Sequence, residues 1–144
     1  MKEQHIGFNL RMLQNEVMRF IDQKARQKGL DKVTLSNGWI LMTLYDNRKR
    51  DMFQKDLEAE CGIARSTVTG VVKLMERKGL IRRESVPDDA RLKKLVLTEK
   101  GLQVRNAMAE IFDECEAVLS AGMSKDELNE FIGKLQQLRG KLLT

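Results

Sequence analysis

One stretch, residues 54–101, constrains the fold more than any other part of this chain. It reads QKDLEAECGIARSTVTGVVKLMERKGLIRRESVPDDARLKKLVLTEKG. Leu57 and Cys61 are four residues apart, which is the spacing of one face of a short amphipathic helix. A second helix is predicted from about residue 64 to residue 78. Gly62 lies between the two helices, where a sharp turn favours a residue that can adopt positive φ.

The second predicted helix carries an apolar stripe and is followed by a hairpin. Its apolar residues recur at the helical spacings of three and four: Val68, Val71, Val72 and Met75. Residues 81–86 and 94–98 are β-prone, and the charged segment 87–93 between them is turn-forming. Thr98 then opens a further helix. This order of elements is a winged helix-turn-helix, whose second helix can enter the major groove of DNA.

The same stretch carries a more specific set of motifs. They are residues 57–62, residues 65–69, residues 74–81, the pair Asp89-x-Arg91 and the run LTEKG at 97–101. Together they resemble the MarR family of bacterial transcriptional regulators. The resemblance implies a mainly α fold with a small β-wing, and N- and C-terminal helices that pair two subunits. It predicts a single chain over 1–144, with a DNA-binding lobe at 34–98 and dimerisation helices at 1–30 and 99–144.

Positive charge is concentrated on the recognition helix and the wing. The chain holds 26 Lys/Arg and 21 Asp/Glu, a net charge of +5. Residues 65–94 contain nine of these cations and four of the acids, so the remainder of the chain is balanced. A basic excess confined to one region is typical of a surface that binds a polyanion. A solvated charge run fits less well, because its charges are scattered or of both signs.

The predicted DNA contacts lie on the second helix and on the hairpin. They are Arg65, Ser66, Thr67, Thr69, Lys73, Arg77, Asp89, Arg91, Lys93 and Lys94. Arg65 is the candidate for a bidentate contact with guanine. The lysines and Arg77 are expected to neutralise phosphates and to add affinity without sequence preference. For Thr67, capping or packing and DNA contact are equally open.

The resemblance also assigns roles to the wing tip. It implies that Arg91 enters the minor groove and that Asp89 fixes the Arg91 side chain by a charge-assisted hydrogen bond. An exposed ion pair of little energetic value is the alternative. Three residues depart from the common family pattern: Ala64 where a serine often caps the helix, Gly70 where an arginine often faces the groove, and Glu58 at the helix crossing.

The flanking segments are predicted to be helical. Apolar residues indicate a helix from about Glu3 to Gln27, ended near Gly29. A second helix is predicted from Thr34 or Ser36 to about Tyr45. The helix that Thr98 opens continues to Gly122, and a capping box at residues 124–127 opens the last one. Its apolar face packs either on its own lobe or on a second copy, and the resemblance favours a two-fold dimer on an inverted-repeat site.

A small, often aromatic, effector is implied by the same resemblance. Many relatives lose DNA affinity when such a molecule enters the crevice between the dimerisation helices and the DNA-binding lobe. By analogy, its lining is assigned to Met12, Glu16, Trp39 and Met42. A simple core stripe explains the apolar members of this set equally well.

Several functional classes are not supported by the sequence. No apolar run approaches the roughly 20 residues that a membrane helix needs, and no signal peptide is evident, so we expect a cytoplasmic protein. One histidine and no C-x-x-C spacing argue against a metal site, and no nucleophile–base set indicates an enzyme. Cys61 and Cys115 are predicted to be core thiols, and no cofactor is expected. The rival to a DNA-binding regulator is a winged-helix scaffold that binds acidic protein partners.

Overall fold

The computed structural model describes residues 2–143 of the chain. Over these residues a 3-10 turn at Lys2–Gln4 is followed by seven α-helices and two strands. In chain order they are α1 (Ile6–Gln27), α2 (Lys32–Ser36), α3 (Trp39–Asp46), α4 (Gln54–Cys61), α5 (Arg65–Arg77), β1 (Ile81–Val86), β2 (Asp89–Leu97), α6 (Glu99–Ser120) and α7 (Lys125–Leu142). The prediction of a mainly helical fold with a two-stranded wing is confirmed.

The helix-turn-helix forms as its sequence predicts. Gly62 ends α4 in the left-handed conformation, with φ of +62°. The four apolar residues of the predicted stripe on α5 are all buried. They pack in one core with residues of α3, α4, the strands and α6, among them Ile40, Leu57 and Met108. Burial of each large apolar side chain stabilises the lobe by about 1.5–3 kcal/mol. This packing fixes the position of α5, and with it the position of its exposed face.

The long helix α6 joins the lobe to α1. Ile21 and Ala25 of α1 pack against Ile111 of α6 in a second, smaller core. At the edge of this contact, the Lys28 ammonium donates to the Glu110 carboxylate at 2.7 Å. This hydrogen bond lowers the pKa of Glu110. The N-terminal half of α1 extends beyond the contact and remains exposed.

The predicted single helix from Thr34 or Ser36 to Tyr45 is wrong, because two helices occupy this segment. Asp31 caps the first of them, and its carboxylate accepts from the Thr34 N–H at 2.6 Å. Residues 37–38 separate the two helices. A Cβ on Gly38 would lie 1.9 Å from the Cε of Met108. Glycine at residue 38 therefore allows this segment to pack closely on Met108 of α6, a contact that no local pattern reveals.

The wing also differs from the prediction. We expected a turn over 87–93 and a strand from Lys94, but β2 already begins at Asp89. Ser85 pairs with Lys93 while Val86 pairs with Asp89, so residues 90–92 form a bulge in β2. A bulge bends its strand and re-aims the side chains that it carries. Charge and a proline mark a turn, but they do not fix its length.

The run LTEKG at 97–101 joins the end of α5 to the start of α6. The Thr98 hydroxyl accepts from the Gly101 N–H at 3.0 Å, which confirms the predicted cap. The same hydroxyl donates to the Gly79 carbonyl at 2.6 Å. Lys100 donates to the carbonyl of Lys78 at 3.0 Å. A Cβ on Gly101 would lie 1.9 Å from the carbonyl oxygen of Leu80, so only glycine permits this close approach.

The last helix stands apart from the lobe. The predicted capping box is confirmed, since Ser124 accepts from the Glu127 N–H at 3.1 Å and Glu127 accepts from the Ser124 N–H at 3.3 Å. No residue of α7 is buried. Phe131 and Ile132 lie on its apolar face and are both exposed. Within residues 2–143, none of the helices has the length and hydropathy to cross a membrane.

Candidate nucleic-acid interface

The N-terminus of α5 presents an uncapped first turn. Ala64 occupies the N-cap position and provides no side-chain acceptor. Arg65, Ser66 and Thr67 are all exposed there. Thr67 is exposed and makes no capping bond to any described residue, and its contact with DNA stays a prediction. The unpaired amides of a first helical turn suit phosphate oxygens.

Thr69 is more constrained than the sequence suggests. It is half-buried, and its hydroxyl donates to the carbonyl of Arg65 at 2.9 Å. The same hydroxyl accepts from the side-chain amide of Gln54, the first residue of α4. Thr69 therefore ties the two helices together with its hydroxyl. Its predicted DNA contact stays a prediction and would use the methyl group or the remaining lone pair.

The nine cations of residues 65–94 form two groups, according to whether a carboxylate lies close enough to form an ion pair. Five have a carboxylate within 4 Å: Arg65, Lys78, Arg82, Arg83 and Lys94. Among the described residues, the other four have no such partner: Lys73, Arg77, Arg91 and Lys93. These four are all exposed, two on α5 and two on the wing. The uncompensated positive charge therefore lies on the two elements that the sequence predicts to touch DNA.

The wing tip is organised differently from the expectation. The Asp89 carboxylate accepts from the backbone N–H of Arg91 at 2.9 Å and does not bind the guanidinium. It therefore fixes the course of the chain through the bulge. The Arg91 side chain is exposed and has no carboxylate partner among residues 2–143. Lys93 lies next to it and donates to the Ser85 hydroxyl at 2.6 Å.

Lys94 faces away from this surface. Its ammonium lies 3.6 Å from Asp51 and 3.7 Å from Glu84. A hydrogen bond from Arg82 and the nearby charge of Lys94 lower the pKa of Glu84. All four line a cavity of about 560 Å³ at the base of the wing. Of the ten predicted DNA contacts, Lys94 has the least favourable position.

The end of α5 is attached to the segment before α2. Lys78 donates to the Asp31 carboxylate at 2.9 Å. This bond, together with the Thr34 N–H, lowers the pKa of Asp31 to about 2. Lys78 is thus neutralised on the side of α5 that faces α1 and α2. It belongs to the scaffold that fixes the recognition helix and not to the exposed basic face.

The four predicted effector contacts are not gathered around one cavity in the single chain. Met12 and Glu16 lie on the exposed part of α1, and Glu16 pairs with Arg19 at 2.8 Å. Trp39 and Met42 are half-buried on α3. None of the four lines the cavity at the base of the wing. Their assignment stays a prediction that concerns the dimer.

Three residues contact the predicted DNA-binding helix, and the sequence did not predict these contacts. Gln54 binds Thr69, Glu58 binds Arg65 at 3.3 Å, and Arg83 lies 3.5 Å from Glu76 of α5. No spacing rule could have found these pairs, because each joins two different elements.

Among the described residues, no group of His, Cys, Asp and Glu is placed to hold a metal ion. Cys115 is buried as predicted, whereas Cys61 is only half-buried.

A helix-turn-helix with an exposed basic second helix, followed by a basic wing, defines a DNA-binding transcriptional regulator of the winged-helix class. Comparison with known proteins narrows the class. Residues 32–92 match the sequence profile of the MarR family. The chain is 25% identical over 113 residues to the HTH-type transcriptional regulator BilQ of Clostridioides difficile, spanning 78% of this chain and 76% of BilQ.

Two solved structures extend the similarity to nearly the whole chain. The DNA complex of S. aureus MepR superposes with a TM-score of 0.79 at 27% identity, covering 97% of this chain and 98% of MepR. The heme sensor PefR of Streptococcus agalactiae, solved with heme, superposes with a TM-score of 0.73 at 26% identity, covering 94% of this chain and 92% of PefR. Residues 32–92 thus match the MarR family of transcriptional regulators, and nearly the whole chain shares the fold of these two solved regulators. This is a family of regulators and not of enzymes.

Proposed function

We propose that this protein is a homodimeric repressor that binds an inverted-repeat operator in double-stranded DNA. The position of the uncompensated cations carries the proposal, because Lys73 and Arg77 on α5 and Arg91 and Lys93 on the wing are exposed and have no carboxylate partner among residues 2–143. In this arrangement α5 enters the major groove and the wing reaches the adjacent minor groove. Arg65, Ser66, Thr67 and Thr69 would then approach base edges and phosphates.

The exposed apolar faces of the terminal helices support the dimer. Ile6 and Leu10 on α1 are exposed, as are Phe131, Ile132 and Leu142 on α7. Apolar patches of this kind on a soluble chain mark interaction surfaces. A second copy covers both faces if the helices at 1–30 and 99–144 interleave. Two-fold symmetry then places the recognition helices about 34 Å apart, one turn of the duplex.

A small effector would release the operator. S. aureus MepR has been solved with ethidium bromide, with a TM-score of 0.67 to this chain, and PefR has been solved with heme. Both are flat aromatic molecules, which supports an aromatic effector in the crevice between α1, α3 and α6. Met12, Glu16, Trp39 and Met42 are the proposed contacts. As a regulator of transcription, the protein would act in the cytoplasm.

Selection of bound sequences from a random duplex pool tests the proposal. The purified dimer should enrich a short palindrome and protect it from nuclease cleavage. Affinity should fall steeply with salt, because several phosphate contacts release counterions. A reporter controlled by this palindrome should be repressed by the protein. Recovery of no preferred sequence, with binding only to acidic proteins, would instead support the scaffold function.

A further inference from the structure

Glu58 contacts the residue best placed to read a base. Its carboxylate accepts from the Nε–H of Arg65 at 3.3 Å, across the turn between α4 and α5. The backbone carbonyl of Glu58 accepts from the N–H of Gly62 and from that of Ile63 at 3.3 Å. The same residue therefore closes the turn with its main chain and binds Arg65 with its side chain.

The two partners differ in their exposure. The Glu58 side chain is 19% exposed and is fixed at the helix crossing, whereas the Arg65 side chain is 84% exposed. A long exposed arginine samples many rotamers unless a partner restrains it. Because Glu58 binds Nε, both terminal amino groups of the guanidinium remain free. A fork of this kind can donate to O6 and N7 of guanine in the major groove.

We propose that Glu58 is a positioning residue for Arg65, and that it gives the protein a preference for guanine at one base pair in each half-site. This inference rests on the proposed role of α5 in reading DNA. Glu58 restricts Arg65 to a conformation with its fork directed away from α4. The orientation is thus established before DNA binds, and less conformational entropy is lost on recognition.

The charge of Glu58 has a second, opposite effect. A carboxylate next to the recognition helix repels phosphates of any sequence, so it weakens non-specific binding. Glu58 therefore lowers affinity for random DNA while it supports affinity for the operator. Only the positioning of Arg65 increases the ratio of operator affinity to random-duplex affinity, because the repulsion of phosphates weakens both affinities equally. A residue that only stabilised the helix crossing would change both affinities together.

The test measures affinity for the selected palindrome and for a random duplex of equal length. Glu58→Ala should reduce the ratio of the two affinities by about three- to tenfold, because the restraint on Arg65 is lost. Affinity for the random duplex should stay the same or rise. Repeated selection with this variant should show a relaxed preference at the guanine position and an unchanged preference elsewhere. Thermal unfolding of the variant establishes that the fold is retained.

Glu60→Ala is the matched control. Glu60 lies on the same helix, and its carboxylate pairs with Arg50 at 2.9 Å and not with α5. Its removal changes the net charge equally and should leave the affinity ratio unchanged. Equal effects of the two substitutions, or a Glu58→Ala variant with the wild-type base preference, would overturn the inference. Failure of the wild-type protein to select any sequence would instead overturn the proposed function.

Discussion

At the scale of single residues, the face of the wing on which a lysine lies decides whether it is paired with a carboxylate or exposed. Lys93 and Lys94 are neighbours in β2, so their side chains point to opposite faces of the wing. Lys93 is exposed beside Arg91, whereas Lys94 is held between Asp51 and Glu84. A charge count treats the two lysines alike. Their paired or unpaired state separates a group free to bind phosphate from one already neutralised.

This difference predicts unequal effects of two substitutions on the same strand. Arg91→Ala should reduce operator affinity by about 10- to 100-fold, because an unpaired groove-facing arginine is lost. Lys94→Ala removes the same charge but should change affinity by no more than about threefold. Fluorescence anisotropy with the operator duplex measures both values. A larger loss for Lys94→Ala than for Arg91→Ala would contradict the assignment of the wing.

At the scale of elements, backbone contacts at the ends of helices position the recognition helix. The hydroxyl of Thr98 and the ammonium of Lys100 bind carbonyl groups just beyond α5, at Gly79 and Lys78. Gly101 allows α6 to begin directly against Leu80. The run at 97–101 is therefore structural. It fixes the start of α6 against the end of α5.

Two glycine substitutions test this contact. Gly101→Ala should lower the free energy of unfolding by about 1–3 kcal/mol, because its Cβ would overlap the Leu80 carbonyl oxygen. Gly70→Ala, in the middle of α5, meets no atom within 4 Å. It should raise the free energy of unfolding by about 0.5–1 kcal/mol, since alanine favours the helix. Urea denaturation measures both, and equal effects would contradict the close packing of α6 on Leu80.

At the scale of the whole molecule, the described chain leaves α7 and the N-terminal half of α1 exposed, whereas the second half of α1 packs on α6. Among the described residues, α7 buries no side chain although one of its faces is apolar. The lobe by contrast has a closed core around Leu57 and Met75. Stability of the lobe and stability of the proposed dimer are therefore separable. We therefore expect the lobe to remain folded when the interface is lost.

A charge on the apolar face of α7 should separate the subunits. Phe131→Glu places a carboxylate in the proposed interface, and the molecular mass by light scattering should fall to that of one chain. Affinity for the full palindrome should fall with it, because the two half-sites are no longer bound together. Gln137→Glu adds the same charge on the polar face of α7 and should leave the dimer intact. A dimeric Phe131→Glu protein would contradict the proposed interface.

The sequence by itself determined the features that depend on neighbouring residues. The turn at Gly62, the apolar stripe of α5, and the caps at Thr98 and Ser124 are local, because helical period and capping act within a few residues. The order of these elements, with the motif at 97–101, was sufficient to define the fold.

Only the tertiary structure decided which residues of different helices and strands contact each other. Met108 lies against Gly38, where a Cβ would overlap it, and Lys94 is neutralised because Asp51 and Glu84 lie near it. Glu58 reaches Arg65 for the same kind of reason. Such pairs depend on packing of segments distant in the chain, which no local spacing encodes. The charge excess was visible in the sequence, but its division into paired and free cations is a property of the fold.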